Sequence, residues 1–292
     1  MPTVSIVTGA NSGIGRATAI HLAGQGHEVY GTVRDPDRAS KLRSMAEAAG
    51  VEVRLVIVDV GDDSSVADGF GEILARAGKV DVLVNNAGVG GNAVVEEATP
   101  QHILDAVNVN VCGAVRCVQQ VLPGMRQERK GCIVNVTSVA GRYGALAQAP
   151  YVASKWAFEG ISEELAFELA PFGIRVVIVE PGVTKSAIFA KNVDTPNSTG
   201  AYEDHYRRLF NFYAAGLAVA TDPFEVAAVI HEATTTEQPR LRYPCSWAGP
   251  EIIAGRDRVD DQEWVELGAI TDDDEYHARF EQMFGIDIRP PA

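Results

Sequence analysis

Val4-Ser5-Ile6-Val7-Thr8-Gly9-Ala10-Asn11-Ser12-Gly13-Ile14-Gly15 is the stretch on which the fold turns. A β-branched apolar run passes directly into three spaced glycines, and a helical pattern follows over 14–24. Glycines allow a tight turn and a close approach of backbone to ligand. The start of the helix adds unpaired amides and the positive end of its dipole. Together these suit a pyrophosphate, which would lie against Gly9, Asn11, Ser12, Gly13, Ile14 and Gly15. A bare Gly-x-x-x-Gly-x-Gly is a weak signal, but a strand before it and a helix after it make it a strong one.

The same alternation continues along the chain. Strand-like runs fall at 4–8, 28–33, 52–58, 82–85, 132–137 and 175–180, with a short late one near 241–243. Helical patterns lie between them near 14–24, 37–48, 63–76, 101–128 and 151–170, and another near 223–234. This order predicts an α/β fold, a doubly wound parallel sheet of the Rossmann-like kind with helices on both faces. Residues 1–245 then form one catalytic domain. Residues 246–292 form an acidic extension on or beside it, with twelve acids against four arginines from Glu251 onward.

In such a sheet, ligands lie at the carboxyl ends of the strands. The second strand ends at Val33, where Arg34 and Asp35 compete for the adenosine ribose. Asp35 stands twenty residues after Gly15, where an acid would bind both ribose hydroxyls and select NAD. Arg34 is the first residue past the strand, where a guanidinium can fork onto a 2′-phosphate. That position favours NADP (NADPH), with NAD as the alternative. Asp59 and Val60 end the third strand, where Asp59 would accept from the adenine amine. Asn86, Ala87 and Gly88 follow the fourth strand and permit close approach of the cofactor's ribose.

The fifth strand delivers Ser138, and thirteen residues later Tyr151-Val152-Ala153-Ser154-Lys155 opens a helix. Tyr151 and Lys155, four residues apart, share a helical face. A phenol is a poor acid or base at neutral pH, and a nearby ammonium is expected to draw its pKa downward. Pro181-Gly182 turns the sixth strand toward this edge. The stretch from Ser186 to about Ala220 is expected to be irregular. It carries Phe189, Tyr202, His205, Tyr206, Phe210, Phe212 and Tyr213, which predicts a lid over an apolar substrate.

Bulk properties exclude other classes. A net charge of −14 argues against nucleic acid or an anionic membrane as partner. No apolar run reaches the roughly 18 residues needed to span a bilayer, and the early strand leaves no room for a leader. A cytoplasmic location is expected. Cys112, Cys117, Cys132 and Cys245 show no metal-ligand spacing, and Cys112 and Cys117 read as core thiols. The six histidines also lack metal spacing, so no metal is expected. Ser138 lacks the Gly-x-Ser-x-Gly elbow that a hydrolase of this topology needs.

These motifs resemble the short-chain dehydrogenases/reductases over residues 1–245. The resemblance covers Thr8 to Gly15, Asn85-Asn86-Ala87-Gly88, Asn110 in Asn110-Val111-Cys112-Gly113, Ser138, Tyr151-x-x-x-Lys155 and Pro181-Gly182-Val183-Thr184. The pattern around Arg34 and the aromatic lid look most like the ketosteroid- and retinol-reducing branch. The resemblance implies a proton donor or acceptor in Tyr151, with Lys155 lowering its pKa and binding the nicotinamide ribose. It implies that Ser138 orients the substrate oxygen and that Asn110 holds a relay water. It also implies that Thr184 and the Val183 backbone hold the carboxamide. The expected reaction is hydride transfer between NADP(H) and a bulky apolar ketone or secondary alcohol, in a homodimer or homotetramer. Alternatives are an NAD-dependent alcohol dehydrogenase of the same family, a cofactor-recycling epimerase or dehydratase, or a catalytically silent dinucleotide sensor.

Overall fold

The structure, a computed structural model, describes residues 2–186, 195–219 and 221–290. Strands β1 (Val4–Val7), β2 (Glu28–Val33), β3 (Val53–Ile57), β4 (Val82–Asn85), β5 (Gly131–Val136), β6 (Ile174–Pro181) and β7 (Arg242–Cys245) form one sheet. Its order is β3-β2-β1-β4-β5-β6-β7, and every pairing is parallel. The connections reverse direction between β1 and β4, which opens a crevice at the carboxyl ends of those two strands.

The strands up to β6 are connected through helices α1 (Gly13–Gly24), α2 (Ser40–Ala48), α3 (Asp63–Ala77), α4 (Pro100–Val107), α5 (Gly113–Glu128) and α6 (Ala149–Leu169). Alternate strand residues face opposite helix layers. Val82 and Val84 of β4 join Leu22 of α1 in one core, while Leu83 joins Phe70 and Ile73 of α3 in the other. Because both sheet faces are covered, the strands are apolar almost throughout.

The segment expected as one helix over 101–128 is interrupted. A π-helical turn, Asn108–Cys112, separates α4 from α5 and carries the buried Asn110. The widened turn leaves Cys112 exposed, correcting its reading as a core thiol, whereas Cys117 is buried. A second correction concerns 186–220, expected to be irregular. Residues Glu203–Ala218 form helix α7, with Tyr206, Leu209 and Tyr213 buried along one face. Their spacing of three and four is helical, a period masked by the aromatics at neighbouring positions. Phe189 lies outside the described residues.

Helix α8 (Pro223–Thr235) packs against α1 on the same face of the sheet. The acidic extension is also structured, as α9 (Gly249–Arg256), α10 (Asp261–Ala269) and α11 (Asp273–Phe284). Its acids lie mostly outward, while Ile252, Leu267, Tyr276, Phe280 and Phe284 bury against Val139 and Tyr143. Arg208 ties α7 to this unit. It is 2% exposed, stacks 4.1 Å from the Tyr276 ring centroid and donates to Asp273 at 2.9 Å. No helix among the described residues is long and apolar enough to cross a membrane.

Candidate active site

The turn after β1 is stitched to the end of β4. Thr8 Oγ1 accepts from the backbone amides of Asn86 (2.9 Å) and Ala87 (3.0 Å), and Asn86 Nδ2 donates to the Thr8 carbonyl at 3.0 Å. This close seam demands glycine. Gly9 has φ +68°, and a Cβ there would lie 2.9 Å from Ala87 Cα. A Cβ on Gly15 would lie 2.3 Å from Asn86 Nδ2. Ser12 stands at the N-cap of α1 with no side-chain capping bond.

A cavity of about 990 Å³ runs along the strand ends. It is lined by Gly9, Asn11, Ser12, Gly13, Ile14, Arg34, Asp59, Val60, Asn86, Ala87, Gly88, Ser138, Tyr151, Lys155, Pro181, Gly182, Val183 and Thr184. Of the catalytic and cofactor-binding residues expected from the sequence, Gly15 and Asn110 do not line it. Gly15 backs the turn. Asn110 is a strut: Oδ1 accepts from Val89 N at 2.8 Å, and Nδ2 donates to Val89 O (2.9 Å) and Ser154 Oγ (2.8 Å). Both Nδ2 protons are thus committed, and the side chain joins the β4 loop to α6.

At one end of the cavity, Asp35 is committed to its own turn. Its carboxylate accepts from Asp37 N at 2.9 Å and pairs with Arg38 at 3.5 Å. Arg34 is exposed and makes no hydrogen bond or ion pair among the described residues. Arg38 lines the cavity as well, a second cation that the sequence reading missed. Asp59 Oδ1 accepts from Gly61 N at 2.9 Å, leaving its other oxygen for a ligand.

The other end holds Ser138, Tyr151 and Lys155. Ser138 caps the 3-10 turn Val139–Gly141 and accepts from Ala140 N at 3.2 Å. Lys155 is buried and donates to the Val136 carbonyl at 3.1 Å, with its Nζ 5.6 Å from the Tyr151 ring centroid. Burial pulls the Lys155 ammonium down to about 8, and Glu159 opposes that shift. The expected lowering of Tyr151 is corrected: burial raises its phenol above the ordinary value, and the Ser138 hydrogen bond only opposes the rise. Desolvation of the phenolate is the larger of these two causes.

Val183 N–H donates to the Trp247 carbonyl at 2.9 Å, and Thr184 Oγ1 meets Ser246 Oγ at 2.8 Å. A carboxamide contact at Val183 is therefore narrowed to its carbonyl. Of the lid aromatics in the described residues, Phe212 and Tyr213 line the cavity, joined by Tyr143 and Gln148. Tyr202, His205, Tyr206 and Phe210 do not line it. The Tyr206 hydroxyl accepts from Val94 N at 3.1 Å, and Phe210 is half-exposed. Among the described residues no group of three side chains is placed to hold a metal ion.

Comparison with known proteins agrees with this geometry. The family model for short chain dehydrogenase matches residues 3–197. The chain belongs to the short-chain dehydrogenase family. Mouse 17-beta-hydroxysteroid dehydrogenase type 1 is 36% identical over 253 residues, covering 83% of this chain and 73% of the mouse protein. A short-chain dehydrogenase structure from Streptomyces avermitilis matches with a TM-score of 0.76 at 33% identity, covering 93% of this chain and 98% of that one. A metagenomic short-chain oxidoreductase solved in complex with NADP matches with a TM-score of 0.66 at 27% identity, covering 82% and 95%. The protein is thus an oxidoreductase of a family that binds a nicotinamide dinucleotide and acts on small molecules.

Proposed function

We propose that this short-chain dehydrogenase is an NADP(H)-dependent reductase of bulky apolar ketones, or the dehydrogenase of the matching secondary alcohols. The observation that carries the reading is the composition of the cavity's two ends. One end presents Arg34, without a partner among the described residues, beside Arg38, while the competing carboxylate of Asp35 is tied into its turn. The other end sets Ser138, Tyr151 and Lys155 among Val139, Tyr143, Phe212 and Tyr213. The residues fit a dinucleotide, since the glycine turn leaves no room for Cβ atoms where the backbone must meet a pyrophosphate. The mouse steroid dehydrogenase and the NADP-bound neighbour support an apolar substrate and that dinucleotide.

Gly9, Ser12, Gly13 and the first amides of α1 would hold the pyrophosphate, and Arg34 with Arg38 the 2′-phosphate. When bound, the nicotinamide supplies or takes the hydride. Tyr151 delivers the proton to the substrate oxygen, and its raised pKa keeps the phenol protonated for that step. Ser138 orients the oxygen through the hydroxyl that also meets Tyr151. The Lys155 charge stabilises the phenolate left behind. Leu104 on α4 and Trp156, Ile161 and Phe167 on α6 are exposed apolar side chains on the two helices that the expected homodimer or homotetramer would pair.

A panel of hydrophobic ketones assayed with NADPH and NADH side by side tests the proposal. The expected result is oxidation of NADPH by at least one ketone, with kcat/KM roughly tenfold or more above that with NADH. A panel that leaves NADPH unoxidised overturns it.

A further inference from the structure

Glu159 stands one helical turn beyond Lys155 and two beyond Tyr151 on α6, so the three share a stripe. The residue is 5% exposed. It presses on the turn that follows Ser138, with its Cγ only 2.7 Å from where a Cβ on Gly141 would be. Glu159 Oε2 accepts from Arg242 at 3.1 Å, whereas Oε1 is buried with no hydrogen-bond partner among the described residues. The Thr137 hydroxyl lies beside this carboxyl, yet gives its proton to the Val179 carbonyl at 3.1 Å.

Charged groups face Glu159 from each neighbouring element. Lys155 and Glu163 lie on its own helix, Arg242 on β7, Glu180 on β6, and Arg142 just past the Ser138 turn. Arg142 pairs with Glu180 at 3.0 Å and reaches Asp257 at 3.8 Å, while Arg242 also pairs with Glu163 at 2.9 Å. Glu159 and Glu180 are thus both buried, and their cations are shared with exposed acids.

We propose that Glu159 is a positioning residue whose protonation state sets the charge that Lys155 presents to Tyr151; this rests on reading Tyr151 and Lys155 as the proton-handling pair. Burial raises the Glu159 carboxyl to about 7, with Thr137 opposing and Glu180 adding to the rise. As pH climbs past neutrality, Glu159 ionises and supports the Lys155 ammonium in the range where burial alone would strip its proton. The carboxylate thereby extends the working range of the pair toward alkaline pH.

The test is Glu159→Gln, which keeps the shape and removes the charge. In ketone reduction, the alkaline limb of the kcat/KM profile is expected to move down by at least about half a pH unit, with little change at acid pH. Glu159→Asp is expected to restore the limb. Thermal unfolding without cofactor gives a second readout. A carboxyl whose pKa is raised on folding stabilises at low pH, and that stability is lost as pH rises through about 7. The Tm of Glu159→Gln relative to wild type should therefore climb between about pH 5 and pH 8.

Parallel Tm curves with an unmoved alkaline limb overturn the inference, as does a rate loss uniform across pH. If Glu159→Gln yields no folded protein, Arg242→Gln replaces it. Loss of that guanidinium holds Glu159 protonated to higher pH and should move the limb in the same direction, and an unmoved limb overturns the inference. A wild-type protein that oxidises no NADPH sinks the reading of Tyr151, whereas an active wild type with an unmoved Glu159→Gln profile sinks only the role of Glu159.

Discussion

Tyr151→Phe is expected to lower ketone reduction by roughly 10²–10⁴-fold while leaving dinucleotide affinity within about threefold of wild type. The substitution removes one hydroxyl from a side chain that lines the cavity next to Ser138 and leaves the ring in place against the Lys155 ammonium. Binding contacts at the glycine turn and at Arg34 are at the opposite end of the cavity and are untouched. The change should therefore fall on kcat, since a proton donor acts only in the transition state. Steady-state kinetics with titration of NADPH binding checks both halves. A variant of undiminished rate removes Tyr151 from the mechanism.

Arg34→Asp is expected to weaken NADPH binding by about tenfold to a hundredfold and to leave NADH nearly unaffected. That range corresponds to the roughly 1.5–3 kcal/mol of a charge-assisted hydrogen bond, and the new carboxylate adds repulsion. Arg34 has no ion pair of its own among the described residues, so its loss costs the fold little. Arg38 has one, to Asp35, and its substitution should give a smaller effect in the same direction. Unchanged NADPH affinity in Arg34→Asp would show that the phosphate is read elsewhere.

Much of this architecture was legible before the coordinates. Parallel order follows from strands that are apolar almost throughout and alternate with helices, and the glycine spacing located the β1–β4 crevice. What escaped depended on contacts between distant segments. Arg38, Tyr143 and Gln148 reach the cavity from loops whose paths no local spacing specifies. The π-helical turn at Asn110 has no residue that announces it; it is held by Val89 and Ser154 across the fold. Helix α7 was hidden because aromatics at adjacent positions blurred the period of Tyr206, Leu209 and Tyr213. The helices of the acidic extension were hidden because its charges dominate its composition, while a sparse apolar set makes the contact with Tyr143.

The sign of the Tyr151 shift is the most instructive difference. Spacing places Lys155 beside the phenol, but the shift is set chiefly by burial, which is a property of the assembled fold. The result fits an enzyme whose tyrosine rests protonated, ready to donate, with Lys155 acting on the phenolate once it forms.

The most direct measurement of the central claim follows deuterium from nicotinamide-labelled NADPH during turnover of a hydrophobic ketone. The account predicts deuterium on the carbinol carbon of the alcohol product, one per NADPH consumed, and formation of that labelled product slowed by roughly 10²–10⁴-fold in Tyr151→Phe. Alcohol formed without deuterium, or substrate converted with no net loss of NADPH, would contradict it.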